Sequence, residues 1–138
     1  MVVTKKISLQ SKGHCDIIDI TPEVEQKLGE TDISAGTVTL LVTGSTAGIT
    51  TIEFESGLLS DFQVMWQRNI PTDITYKHDR AWGEGNGYSH VRASLLGASL
   101  VIPFSDKKLA LGTWQQIVLV DFDNRPRSRQ ITVQIMGE

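Results

Sequence analysis

Two stretches of alternating side chains constrain the fold more than any other feature. Val38, Leu40 and Val42 alternate with Thr37, Thr39 and Leu41 in a strand opened by Gly36, and Ile131, Val133 and Ile135 alternate with Thr132 and Gln134. A period of two sends one row of side chains inward and the other outward, the signature of a strand on a half-exposed sheet. Ile117 to Val120 is instead continuously apolar, as expected of a strand covered on both sides. Further β segments are expected at Lys6–Leu9, Asp16–Ile20, Ile49–Phe54, Ser99–Phe104, Leu109–Asp121 and Arg129–Met136.

Helical signals are fewer. Thr21-Pro22 offers an N-cap threonine and a first-turn proline, Val24 and Leu28 share a face, and Gly29 terminates. From Ser56 to about Asn69, Leu58, Leu59, Phe62, Met65 and Trp66 form an apolar helical stripe that Pro71 ends. Ser89 is placed to cap a short helix running to Leu96, stopped by Gly97. Residues 72–89 carry no hydrophobic period and read as a long polar, glycine-rich loop, a length more often functional than filler. Strands outnumber helices and the two do not alternate strictly. The expected architecture is α+β, a single-domain sandwich of mainly antiparallel β-sheet spanning residues 1–138.

Composition narrows the function. The chain has 138 residues, a net charge of −3 and 21% charged residues. That balance fits a soluble globular protein and argues against a disordered chain or a nucleic-acid-coating one. The Arg125–Arg129 cluster is a local basic turn, so no nucleic-acid partner is expected. Met1–Lys6 lacks the apolar core of a signal peptide, and no apolar run approaches the roughly 18–20 residues of a spanning helix. No membrane association is expected, and the expected location is cytoplasmic. With one cysteine, Cys15, and three histidines, His14, His78 and His90, a closed four-ligand zinc site would need every one of them. A metal site would instead be open, carboxylate-assisted or shared between subunits.

Several segments carry candidate chemistry. Thr43-Gly44-Ser45-Thr46-Ala47-Gly48 joins two strands with small residues, so it is either a tight turn or a place where backbone N–H groups and the Ser45 and Thr46 hydroxyls meet an anion. It lacks the Gly-Lys-Ser/Thr of a Walker loop. His78 and His90 flank the glycine-rich loop and, with a carboxylate such as Glu53, form a donor set for a divalent metal, zinc or magnesium. The alternative is a pair of isolated, hydrogen-bonded loop histidines. His14 reads as solvent-exposed. On a helix His90 and Ser94 share a face and Val91 and Leu95 form a neighbouring apolar one. Arg92 is either a bidentate anion grip or a structural ion-pair partner. Gly112-Thr113-Trp114-Gln115-Gln116 interrupts a strand, with Trp114 either walling a pocket or filling the core.

His90-Val91-Arg92-Ala93-Ser94-Leu95-Leu96-Gly97, Leu109-Ala110-Leu111-Gly112-Thr113-Trp114-Gln115 and the ending Val133-Gln134-Ile135-Met136-Gly137-Glu138 together resemble the YjbQ-like, or UPF0047, proteins. Thr46-Ala47-Gly48-Ile49-Thr50 and Tyr76-Lys77-His78 fit in the same order, so the resemblance covers nearly the whole chain. It implies an α+β sandwich assembled as a homotrimer, with a histidine-built site near subunit boundaries and metal in some members. By position it places His78 and His90 on family histidines and Glu53 on the glutamate after the first motif. Many members have a histidine where this chain has Gly44, in Gly44-Ser45-Thr46-Ala47, and an asparagine where it has Ile52. The glycine leaves room for water, a ligand or an anion in place of a third imidazole.

The resemblance also implies a weak thiamine-phosphate synthase activity. Arg92, Lys77 and Arg80 are candidates to hold a diphosphate, and Trp114, Trp82 or Tyr88 to shield a developing carbocation. The leading expectation is a small-molecule site for a phosphorylated or anionic ligand, with His90, His78, Glu53 and Arg92 as catalytic candidates. Gly44, Ser45, Thr46, Ser94, Thr113, Trp114 and Gln115 are the ligand-binding candidates, and His78 and His90 the metal-binding ones. The rival readings are a non-catalytic ligand-binding or structural homotrimer and a metal-dependent hydrolase.

Overall fold

A computed structural model describes residues 1–138. Both alternating segments are strands, as expected, and they pair with each other. One antiparallel sheet contains β1 (Val2–Ser11), β8 (Arg127–Gly137), β3 (Gly36–Thr43), β5 (Ser99–Ser105) and β6 (Lys108–Leu109), in that spatial order. A second contains β2 (Asp16–Asp19), β7 (Gln115–Asp121) and β4 (Ala47–Glu53). The inward residues of β3 and β8 interlock in register, Val38 opposite Ile135, Leu40 opposite Val133 and Val42 opposite Ile131, and all six are buried.

The continuously apolar run on β7 is explained by two different neighbours. Ile117 and Leu119 point into the core between the sheets, with Ile49, Leu40 and Val133. Val118 and Val120 point the other way, into a smaller cluster with Trp66, Ala93 and Phe122. That second cluster is covered by α2 (Ser56–Asn69) and α4 (Gly87–Leu96), making a third layer. Trp66 anchors α2, meeting Phe122 edge-on at 4.9 Å and Phe62 at 5.7 Å between ring centroids. α1 (Thr21–Gly29) buries Val24 and Leu28 as its spacing predicts. The α+β antiparallel sandwich is therefore the observed fold. No helix is long and apolar enough to cross a membrane.

Three local expectations are corrected. Residues 72–89 are not one loop: Lys77–Trp82 form a short helix, α3, and α4 begins at Gly87, ahead of Ser89. The reason is a polar contact invisible to hydrophobic periodicity, described below. The segment 109–121 is not one strand, because residues 110–114 leave the first sheet before β7 enters the second. Val91 and Leu95 are exposed rather than packed. α4 buries its small-residue side, Ser89 and Ala93, together with Tyr88 and Arg92, since small side chains let a helix lie close against β4.

Candidate functional site

The C-terminal end of α4 is stitched to the strands. The Ile49 N–H donates to Gly97 O at 3.0 Å and the Val42 N–H to Ala98 O at 3.0 Å. This docking turns the His90–Ser94 face toward the β3–β4 connection. The result is a depression of about 180 Å³ lined by Gly44, Ser45, His90 and Ser94 among others. The Ser94 hydroxyl donates to His90 O at 2.8 Å, the back-bond expected of a serine four residues on. A Cβ built on Gly44 would stand 2.6 Å from Arg129 Nη1, so the glycine gives that guanidinium its place.

His78 reaches the same helix from α3. Asp79 makes the junction: its carboxylate accepts from the Gly87 N–H at 2.8 Å and the Tyr76 N–H at 3.4 Å, tying the starts of α3 and α4 together. A Cβ on Gly87 would lie 2.6 Å from the Tyr76 Cβ, so only glycine permits the approach. The outcome is that the His78 and His90 rings sit 4.4 Å apart between centroids, tilted by 44°. His78 Nδ1 is buried with no hydrogen-bond partner and lies 3.9 Å from Asp79 Oδ1. Paired imidazoles with an unsatisfied nitrogen can take up, hold or pass a proton to a bound group. As metal ligands they are two, and no group of three His, Cys, Asp or Glu side chains converges within the chain. The donor set of one chain does not fit the expected His78–His90–Glu53 metal centre.

Glu53 lies elsewhere. It ends β4, six residues beyond Ala47, about 20 Å along an extended strand. There it lines a second depression, of about 450 Å³, with Thr113, Trp114 and Gln115. Gln115 shapes it, donating to Thr51 Oγ1 at 2.9 Å while its Oε1 accepts from the Gly112 N–H at 3.0 Å. Trp114 is 72% exposed, a surface residue rather than core. The sequence candidates thus fall into two groups that one chain does not bring together. Trp82, Lys77 and Arg80 are exposed on or beside α3, whereas Tyr88 is buried.

Thr46 and Arg92 have internal partners. Thr46 is buried; its hydroxyl donates to Asp123 Oδ2 at 3.0 Å and accepts from Arg129 Nη2 at 2.6 Å. Arg129 also grips Asp121 through Nε at 2.7 Å and Nη2 at 2.8 Å, and the Ser11 hydroxyl donates to the same carboxylate. Arg127 Nε donates to Asp123 at 2.8 Å. Burial pushes Asp123 up, but donors from Asn124, Asn86, Thr46 and Arg127 outweigh it and hold its carboxyl below the usual aspartate value. Arg127 and Arg129, from the segment that reads as a basic turn, therefore form half of a charge network built on the buried Asp121 and Asp123. Its sequence signal is Asp121-Phe122-Asp123 set across a turn from Arg127-Ser128-Arg129. Arg92 points away from His90 and donates to Ile70 O at 2.8 and 3.0 Å and to Gln67 Oε1 at 3.1 Å. It fastens α4 to the C-terminal end of α2, where free carbonyls attract a cation. His14 is exposed.

The chain matches the family model described as UPF0047 protein YjbQ-like over residues 5–138. It is 37% identical to a UPF0047 protein of Archaeoglobus fulgidus, covering 95% of this chain and 99% of that one. It is 34% identical to the UPF0047 protein YugU of Bacillus subtilis, covering 96% and 98%. Among solved structures, a YbjQ-like protein of unknown function from Sulfolobus solfataricus superposes with a TM-score of 0.94 at 34% identity, covering 100% of this chain and 99% of that one. A yjbq/upf0047 family protein from Clostridium acetobutylicum gives 0.88 at 34% identity, covering 96% and 99%. Fold, length and sequence agree, and the chain belongs to the UPF0047, or YjbQ-like, family.

Proposed function

We infer that the protein binds a small phosphorylated or anionic molecule in the depression formed by Gly44, Ser45, His90 and Ser94, with the His78–His90 pair as its proton-transfer element. The observation that carries this reading is the pair itself: two imidazoles 4.4 Å apart, one with a buried nitrogen lacking any partner, beside a cleft floored by small residues. A buried unsatisfied nitrogen is destabilising by about 1–3 kcal/mol, and His78 keeps one beside Asp79 while His90 lines the cleft. In this reading the active form is a homotrimer, with the histidine cleft near a subunit boundary. The exposure of Trp114, Leu95, Val101 and Leu41 supports burial of apolar surface between copies.

The reaction that fits an anionic ligand and a histidine acid is transfer of a pyrimidine methylene from diphosphate to a thiazole nitrogen, giving thiamine phosphate. The C–O bond to diphosphate breaks, the C–N bond forms, and a protonated imidazole hands its proton to the departing pyrophosphate. The test is thiamine-phosphate formation by wild type, His90→Ala and His78→Ala. Loss of at least about 100-fold in the variants supports histidine acid catalysis; equal rates in all three remove it.

The second reading, a non-catalytic homotrimer, is favoured by the structural engagement of Thr46 and Arg92. Sedimentation of the two histidine variants separates the readings. Dissociated subunits mean structural histidines, and an intact trimer that has lost ligand binding means a site. A metal-dependent hydrolase would need ligands from a second subunit, and no step is derived through a metal.

A further inference from the structure

On the opposite side of α4 from His90, the Arg92 guanidinium opens onto a cavity of about 260 Å³ whose lining includes Tyr88, Gln67, His14 and Cys15. Arg92 is 3% exposed and Tyr88 5%, yet neither has all its polar groups engaged. The hydrogen bonds of Arg92 leave from Nε and Nη2 and none from Nη1. No ion pair in the chain includes Arg92. Tyr88 borders the same cavity, and its hydroxyl makes no hydrogen bond within the chain. A buried cation without a carboxylate is costly unless something else neutralises it. Here only carbonyl and amide oxygens and the faces of Tyr88, 5.0 Å away, and Phe122, 5.9 Å away, do so.

We propose that this cavity is a second ligand site, which takes a small oxyanion, a phosphate or a carboxylate, on Arg92 Nη1 and the Tyr88 hydroxyl. Both groups are hydrogen-bond donors, and Arg92 supplies a net positive charge that the fold leaves unpaired. The Gln67 Oε1 is already engaged, accepting from Arg92 Nη2 at 3.1 Å and from the Thr72 N–H at 3.3 Å. The neighbouring thiol does not compete: burial pushes Cys15 up to about 11, so it stays neutral and adds no charge against an anion. The site is independent of the histidine cleft, since His90 and Arg92 are about 200° apart round the helix.

Isothermal titration of the full chain with inorganic phosphate and, separately, with succinate tests the assignment. Saturable binding of either anion is expected, and the tighter of the two identifies the source of the oxyanion. Tyr88→Phe, which removes one hydroxyl and preserves the ring under Arg92, should weaken it about tenfold. Arg92→Lys should abolish it. Should Arg92→Lys fail to fold, Tyr88→Phe alone remains decisive. A binding phase lost in His90→Ala belongs to the histidine cleft, whereas the phase that Tyr88→Phe weakens should persist in His90→Ala. Absence of saturable binding to wild type, no phase weakened by Tyr88→Phe, or loss of every phase in His90→Ala would each overturn the proposal; the last would assign the anion to the histidine cleft.

Discussion

Replacing Arg129 by methionine probes the buried charge network most directly. Asp121 has no exposed surface and Arg129 only 6%, and the two share a pair of hydrogen bonds at 2.7 and 2.8 Å. Methionine keeps much of the volume but leaves Asp121 as a buried carboxylate without its counter-charge. Removing one partner of such a pair is destabilising by about 3–5 kcal/mol, far beyond the 0–1 kcal/mol of a surface pair. For a chain of this size that corresponds to a fall in Tm of roughly 10–25 °C at fixed protein concentration. Urea unfolding followed by tryptophan fluorescence measures it, because Trp66 packs against Phe122, between the two aspartates in sequence. The companion is Asp121→Asn, alone and combined with Arg129→Met. Neutralising Asp121 removes the stranded charge, so the double variant should be about 2 kcal/mol more stable than the sum of the two single losses implies. A single-variant loss below about 1 kcal/mol, or strict additivity, would refute the view that this pair acts as a buried, coupled unit.

Gly87→Ala should be destabilising by about 1–3 kcal/mol, since its Cβ would strike Tyr76. It should also change the chemical shifts of both His78 and His90 as α3 is pushed away, and unchanged shifts would disconnect the glycine from the pair. Asp123 has its carboxyl lowered in the folded state, so its contribution to stability is complete above the ordinary aspartate range. That contribution is lost as pH falls through the lower folded value. Acid titration of Asp123→Asn should accordingly lack the part of the stability decline that wild type shows below about pH 4, and identical acid profiles would contradict this. Cys15, raised by burial to about 11, should react with a disulfide reagent at pH 8 orders of magnitude more slowly than the unfolded chain. Equal rates would mean that the thiol is open.

Local physics made part of this protein legible. The period-two rows of β3 and β8, the apolar run of β7 and the stripe of α2 are each imposed by chain geometry, so they survive in any tertiary context that buries one face. Sequence also singled out His78 and His90, twelve residues apart, as a pair that a folded loop could unite. It determined the fold class and the residues capable of chemistry, because side-chain period and residue type are local properties. It could not determine which of those residues are free to act. Asp79 reaching to Gly87, Arg129 to Asp121 and Arg92 to the end of α2 are contacts across 8 to 22 positions, with no periodic trace. Only the packed structure decided that Thr46 is committed to a buried network, that Glu53 and Trp114 stand apart from the histidines, and that Arg92 faces a cavity of its own. The physical reason is that a polar group's availability depends on which partner lies within about 3 Å of it, and that distance is set by the whole fold.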